Sequence, residues 1–273
     1  MRNVLLLLFS LSAIANAQFW PRPDSLIFFA PLDAENGFTN VAKDKGPSFV
    51  ANPVLETTKP GPLGVANSSF TVASMNSYIG YYNSQPAFPS FTLSTYFYVS
   101  GQRSKGGVVW VYPGRFSLIY NQESLEIHAF SEDEKYSIDN FTVENVFDGW
   151  TFIGLTYDSP TKTLTIFNQY GIAIFTKRNF LIPNVYPSQL YLGYSRGSSS
   201  DFPMARGDAI ACTMVYNEIL TSEEISHLSK VCYFKGAPPT PWPETKYLLG
   251  LWPLSDQYKL ENVNRDKFTS VSH

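Results

Sequence analysis

Short apolar segments separated by turn-forming residues follow one another along most of the chain. The segment 91–99 alternates most strictly between the two faces of a predicted strand. The face that we expect to lie in the core consists of Phe91, Leu93, Phe97 and Val99. Other stretches of strand length and composition lie at residues 26–32, 69–73, 108–112, 116–120, 125–130, 150–157, 164–167, 172–175, 190–194 and 210–216.

One helix is predicted near the end of this series. Thr221 and Glu224 have the spacing of a capping box, in which each side chain bonds the backbone N–H of the other residue. Ile225 and Leu228 then fall on one helical face. Many short strands, short turns and one short C-terminal helix predict an all-β fold, an antiparallel two-sheet jelly-roll sandwich.

The first 17 residues have the composition of a secretory signal peptide. Arg2 supplies a positive charge, residues 4–14 form an apolar core, and residues 15–17 read Ala-Asn-Ala, a small-residue cleavage site. The apolar run is shorter than the roughly 18 residues that a membrane span needs. We therefore predict a secreted, extracellular protein with a signal peptide at 1–17 and no membrane-spanning segment.

The remaining chain divides into a domain, a linker and the start of a repeat. Residues 18–236 are the predicted sandwich domain, and the Pro-rich segment 237–246 is a stiff linker. We interpret residues 247–273 as the start of a second, truncated repeat of the same domain. The interpretation depends on two pairs of segments that align in one register: 248–255 with 26–33, and 262–267 with 40–45.

The cysteines and the sequons agree with export. Cys212 and Cys232 are the only cysteines, and in an exported chain such a pair predicts one disulfide. Asn67 and Asn140 begin N-x-S/T sequons and are predicted N-glycosylation sites. We expect a disulfide-bonded glycoprotein.

Three segments carry a resemblance to a known family. Residues 207–225 contain a glycine, an apolar strand ending V-Y-N and the helix start L-T-S-E-E-I. This order resembles the C-terminal signature of laminin-G-like domains of the concanavalin A-like jelly-roll class. The strand W-T-F-I-G-L-T-Y-D at 150–158 and the L-Y-L-G strand at 190–193 are similar to other strands of that family. The resemblance covers residues 26–232 and implies a jelly roll with a binding or structural role.

Composition and missing motifs argue against several other functions. The net charge of -3 and the lack of a basic cluster give no basis for nucleic-acid binding. The paired-carboxylate strand motif of jelly-roll glucanases and a Gly-x-Ser-x-Gly nucleophile are both missing from the sequence. We therefore do not expect an enzyme, and a glycoside hydrolase is the weakest alternative. No His or Cys spacing predicts a metal site.

Two further motifs bear on cofactors and partners. Calcium stays open as a cofactor, because related domains bind it at a sheet rim, but the loop acids Asp158, Asp201 and Asp208 have no diagnostic spacing. The tripeptide Arg206-Gly207-Asp208 resembles an integrin-binding motif. It adjoins the last strand, where the family has its glycine, so we do not expect an integrin contact there.

Four aromatic residues form the candidate binding site. Tyr96 and Tyr98 project opposite the core residues of their strand, and Trp110 and Tyr191 lie on other strands. Exposed rings can stack on sugars or anchor a protein partner. We therefore expect a secreted, non-catalytic module of an extracellular matrix that engages glycans or matrix proteins. A lectin, and a structural protein of a secreted matrix, mineralised or not, without a specific small ligand, stay open as alternatives.

Overall fold

The computed structural model describes residues 21–34, 36–42, 48–51, 59–62, 64, 66–72, 77–81, 88–100, 107–112, 116–121, 124–130, 136–142, 149–182, 184–185, 190–193, 204 and 206–231. All of them belong to Pro21–Pro238, one of the two units into which the chain divides. The predicted signal peptide (1–17), linker (237–246) and second repeat (247–273) lie outside the described residues and stay predictions.

The described part of the chain contains fourteen strands and one α-helix. The helix, α1, is Ser222–Val231. The strands are β1 (Leu26–Ala30), β2 (Ser48–Ala51), β3 (Phe70–Thr71), β4 (Tyr78–Tyr81), β5 (Phe91–Tyr98), β6 (Gly107–Tyr112), β7 (Phe116–Asn121), β8 (Ser124–Phe130), β9 (Tyr136–Thr142), β10 (Trp150–Asp158), β11 (Thr163–Phe167), β12 (Ala173–Lys177), β13 (Leu190–Leu192) and β14 (Ala209–Tyr216).

These strands form two sheets of seven within the described residues. The first sheet has the order β1-β14-β5-β10-β11-β12, and β3 also pairs with β14. The second sheet has the order β2-β4-β13-β6-β7-β8-β9. Every pairing between them is antiparallel. The predicted fold class, an all-β two-sheet sandwich with one short C-terminal helix, is confirmed.

The inner faces of the two sheets share one hydrophobic core. Aromatic rings meet across it, and such pairs contribute about 0.5–1.5 kcal/mol each beyond the area that they bury. The predicted core face at 91–99 is confirmed, because its four apolar residues are 0% exposed and belong to this core. The ring centroids that join the sheets are 4.5 Å apart for Phe28–Tyr81, 5.7 Å for Phe91–Phe116 and 6.3 Å for Phe97–Tyr120.

Helix α1 packs on the outer face of the first sheet. The predicted capping box is present, since the N–H of Thr221 donates to Oε2 of Glu224 at 2.8 Å and the N–H of Glu224 donates to Oγ1 of Thr221 at 3.2 Å. Ile225 and Leu228 are fully buried. Gly154 in β10 permits this close approach, because a Cβ there would lie 2.5 Å from Cγ2 of Ile225.

Arg22 links the segment before β1 to the start of the helix through two ion pairs. Its Nε donates to Oε1 of Glu224 at 2.8 Å, and its Nη1 donates to Oε2 of Glu218 at 3.0 Å. Burial raises the pKa of Glu224, but hydrogen bonds from Arg22 and Thr221 together outweigh burial and hold this pKa below its usual value. Stability from this carboxylate is therefore present above its unfolded-state pKa and is lost as the pH falls through the folded-state pKa.

Glu224→Gln should remove this pH-dependent contribution and little else, because Gln can still accept the bond from the Thr221 N–H. We expect the free energy of unfolding at pH 7 to fall by about 0.5–1 kcal/mol. We also expect the decline in stability between about pH 5 and pH 3 to become shallower. Urea denaturation over that range measures both effects. The control is Glu223→Gln, an exposed carboxylate in the same helical turn. Equal pH profiles for the two variants would contradict the prediction.

Candidate functional site

Tyr96 is covered by α1 instead of facing solvent. Its hydroxyl donates to the backbone oxygen of Ser229 at 2.6 Å, and its ring centroid lies 5.0 Å from that of Phe152. Only 4% of the residue is exposed. The helix therefore buries the polar face of β5, and the expectation of an open aromatic ring at Tyr96 is not met.

The other three aromatic candidates lie in three different places. Tyr98 is half-buried beneath Lys59, whose Nζ lies 3.4 Å from the ring centroid. Trp110 is fully buried in the core. Tyr191 is half-buried on the outer face of the second sheet, with its ring centroid 5.8 Å from that of Tyr78. The four predicted rings therefore do not converge on one surface.

The aspartate of the Arg-Gly-Asp tripeptide is an internal residue. Asp208 is 0% exposed. Its Oδ1 accepts bonds from the N–H and the hydroxyl of Ser100 at 2.8 and 2.9 Å, and its Oδ2 accepts a bond from the hydroxyl of Tyr120. Ser100 follows β5 in the first sheet and Tyr120 belongs to β7 in the second, so the carboxylate links the two sheets. In this fold the aspartate is out of reach of an adhesion receptor.

The predicted modification sites fall on different kinds of position. Asn67 is exposed at a turn before β3 and has a φ of 54°, and Asn140 lies in β9. Cys212 is buried in β14, where the register with β5 shifts. Cys232 lies outside the described residues. Glycosylation and the disulfide therefore stay predictions.

The acids considered for calcium do not cluster within the described residues. Asp158 accepts a bond from Oγ1 of Thr161 at 2.6 Å, Asp208 belongs to the buried network, and Asp201 lies outside the described residues. In the described ranges there is no group of three or more His, Cys, Asp or Glu residues that could hold a metal ion. Calcium stays an open expectation. No helix in that part of the chain has the length and apolar character needed to cross a bilayer.

A cleft of about 660 Å³ lies on the outer face of the first sheet, beside the start of α1. Strands β10, β11 and β12 form its floor, and residues 219–222 form one wall. We call it the threonine cleft. The residues that line its floor include Thr156, Thr163, Thr165, Phe167, Thr176 and Arg178.

Three threonines of the floor lie side by side because of the strand register. Thr156 is opposite Thr165 in the pairing of β10 with β11, and Thr165 is opposite Thr176 in the pairing of β11 with β12. Neighbouring strands are about 4.8 Å apart, so the side chains form a row at that spacing. Within the part of the chain that the structure describes, none of these three hydroxyls has a hydrogen-bond partner. The row therefore offers hydroxyl donors and acceptors that a ligand can bond in place of solvent.

The wall of the cleft is held by a fourth threonine of the same row. Thr92 in β5 lies opposite Thr156. Its Oγ1 accepts a bond from the N–H of Leu220 at 2.9 Å and donates to the backbone oxygen of Glu218 at 2.7 Å. Leu220 is buried, whereas Ile219 is 37% exposed. The hydroxyl of Thr92 is therefore buried and has a structural role, whereas the hydroxyls of the other three threonines in the row face the cleft.

Sequence reasoning did not find this cleft. The segment 161–165 reads T-K-T-L-T, and its alternating threonines are the one local signal for a strand with a hydroxyl-bearing face. Thr156 and Thr176 join the row only through strand pairing, and Ile219 joins the site only through helix packing. A single sequence specifies neither contact.

The fold is similar to solved structures of botulinum neurotoxin domains. The receptor-binding domain of the mosaic serotype C/D matches with a TM-score of 0.62 and 11% identity, over 77% of this chain and 51% of that chain. The serotype D binding domain matches with a TM-score of 0.61 and 12% identity, over 76% and 51%. The serotype D ligand-binding domain in complex with N-acetylneuraminic acid matches with a TM-score of 0.58 and 11% identity, over 76% and 51%.

These likenesses show the fold alone, since the identities are low. This chain spans about half the length of the neurotoxin chains that it matches. No protein-family model and no curated protein matches the sequence.

Tyr96→Phe should lower stability without changing a binding surface. The variant removes a buried hydroxyl and leaves the backbone oxygen of Ser229 without its donor, so we expect a loss of about 1 kcal/mol in the free energy of unfolding. Tyr98→Phe is the matched control on the same strand face, because the Tyr98 hydroxyl has no partner among the described residues and should be neutral. Chemical denaturation of both variants makes the comparison. Equal midpoints for the two would count against the buried bond.

Proposed function

We propose that this chain is a secreted, non-catalytic extracellular binding module of the laminin-G-like class that engages glycans through the threonine cleft. The proposal includes a cleaved signal peptide at 1–17, a sandwich domain at 18–236 and a second repeat that starts at 247. It also includes a disulfide between Cys212 and Cys232 and N-glycans at Asn67 and Asn140. The module belongs to an extracellular matrix.

The observation that carries this proposal is the row of free hydroxyls on a rigid floor. Thr156, Thr165 and Thr176 are fixed by strand pairing, so their hydroxyls are positioned before a ligand arrives. Sugars present hydroxyls that can donate to and accept from such a row. The half-buried ring of Phe167 lines one end of the floor and supplies an apolar face of the kind on which a sugar ring can pack.

The comparisons support a binding role over a catalytic one. The similar neurotoxin domains are receptor-binding or ligand-binding domains, and one is a complex with N-acetylneuraminic acid. Among the described residues that line the cleft, Asp158 is the one carboxylate, whereas glycosidases use a pair of carboxyl groups. The site is therefore better suited to holding a sugar than to cleaving one.

Thr165→Val combined with Thr176→Val should abolish most of the glycan binding. Valine keeps the size and strand preference of threonine and removes two hydroxyls, so affinity should fall about 10- to 100-fold while the fold is retained. A glycan array of the full secreted chain, followed by titration of the best glycan, measures the change. Thr39→Val is the control, since Thr39 is exposed outside the cleft. A folded wild-type protein that binds no glycan would falsify the proposed function.

A second candidate function, contact with matrix proteins, is favoured by the turn between β11 and β12. Tyr170 is 69% exposed and Ile172 is 60% exposed. Oδ1 of Asn168 accepts bonds from the N–H groups of Tyr170 and Ile172 at 3.0 and 3.1 Å, so the turn is held rigid. Two apolar side chains on a preorganised turn suit a protein pocket.

Tyr170→Ser with Ile172→Ser should weaken retention of the secreted protein in a cell-derived matrix by at least a factor of about three, if a matrix protein supplies that pocket. The side chains are exposed, so the thermal midpoint should not change. Retention is measured by salt extraction followed by immunoblotting. Leu181→Ser, at a residue that is 50% exposed outside the turn, is the control. Unchanged retention of the double variant would remove this candidate.

A further inference from the structure

The threonine cleft is closed at one end by a contact between a turn and the helix. Gly171, in the turn between β11 and β12, packs against the start of α1 so closely that a Cβ there would lie 2.0 Å from the backbone oxygen of Ser222. A hydrogen bond holds the same turn to the helix, since Oγ of Ser229 donates to the backbone oxygen of Gln169 at 3.0 Å. Ser222 also lines the cleft. The wall of the cleft therefore meets the turn at Ser222.

The floor of the cleft ends with an aromatic ring beside this contact. Phe167 is the last residue of β11, directly before the turn, and its half-buried side chain lines the cleft. Thr165 and Thr163 precede it on the same face of β11, with about 6.7 Å from each residue to the next. The floor along β11 therefore runs from hydroxyl-bearing side chains to a ring at the closed end.

The opposite end of the cleft is open and polar. Asp158 lies opposite Thr163 in the register of β10 with β11, and its carboxylate accepts a bond from Oγ1 of the exposed Thr161 at 2.6 Å. Arg178 follows the last residue of β12, is exposed and also lines the cleft. The two charged side chains at this end have opposite signs. A ligand can therefore leave the cleft past Thr161, whereas the turn stops it at Phe167.

The size and the closed end of the cleft limit which part of a glycan it can hold. Its volume of about 660 Å³ lies within the range of about 300–1,000 Å³ that is typical of small-ligand sites. A cleft of this size holds a few sugar rings. An internal segment of a chain would need two open ends, but the turn closes one end and the wall at residues 219–222 blocks passage across the strands.

From this shape we propose that the threonine cleft binds the non-reducing terminus of a glycan chain. The terminal sugar packs on the ring of Phe167, and its hydroxyls bond the threonine row. The rest of the chain leaves past Thr161. The free terminus is the non-reducing one, because the reducing end of a glycoconjugate is attached to protein or lipid. This inference rests on the proposed function and adds to it the part of the glycan that is recognised.

The test uses the full secreted chain on an array of lactosamine, chitin, glucan and N-glycan oligosaccharides, each linked to the surface through its reducing end. Every terminal sequence is present twice, once with its terminus free and once extended there by one further sugar. We expect the extension to lower the affinity for each bound glycan at least tenfold, because the added sugar has no room beyond Phe167. Lengthening the same glycan at its reducing end should change the affinity little once the cleft is filled.

Ser222→Trp should fill the closed end and lower the affinity for the bound glycans at least tenfold, since the exposed Ser222 side chain lines the cleft. Glu223→Trp is the matched control, because Glu223 is the next residue, is exposed and is not among the described residues that line the cleft. Phe167→Ala is a second variant, which removes the ring without adding bulk and should cause a similar loss. Thermal midpoints of all three variants establish that they are folded.

Binding that is unchanged when the free terminus is extended, or that survives in folded Ser222→Trp and Phe167→Ala, overturns the inference. If that binding is still lost in the Thr165→Val, Thr176→Val variant, the proposed function stands without it. Absence of all glycan binding by the folded wild-type protein overturns both.

Discussion

The threonine cleft on the outer face of the first sheet exists because α1 is short. A helix of 10 residues is about 15 Å long, whereas the six consecutive strands from β1 to β12 span about 24 Å at 4.8 Å per spacing. The helix cannot cover the whole outer face of the first sheet. It buries Tyr96, rests against Gly154 and contacts the turn between β11 and β12, where Oγ of Ser229 donates to the backbone oxygen of Gln169 at 3.0 Å. It leaves Thr165 of β11 and Thr176 of β12 open. The threonine cleft is that uncovered part.

The fold could be predicted from the sequence because sandwich strands carry local signals. Alternation at 91–99 located a core face, and the Thr221 and Glu224 spacing located the helix start. The failures at Tyr96 and Trp110 have different causes. Tyr96 is buried by Ser229, 133 positions away. Trp110 follows a register shift in β6 that no residue pattern announces, and it belongs to the core instead of an open face.

The Arg-Gly-Asp tripeptide and the threonine row show two ways in which sequence motifs fail to locate a site. The tripeptide is a recognisable motif, yet its aspartate is fully buried and accepts bonds from Ser100 and Tyr120. The threonine row has no motif, because strand pairing assembles it from three separate strands. A short motif reports residue types, whereas a site also requires exposure and register. Both of these are properties of the folded sheet.

The cleft takes its shape from contacts that also stabilise the fold. Glu218, which precedes the wall, is held twice, by the hydroxyl of Thr92 at its backbone oxygen and by Arg22 at its carboxylate. Leu220 is held by the same hydroxyl. The wall therefore has little conformational freedom to lose when a ligand binds, and preorganisation of this kind reduces the entropic cost of association. The residues before and at the start of α1 are thus fixed by contacts that stabilise the fold. They also form the wall that limits the threonine cleft on one side.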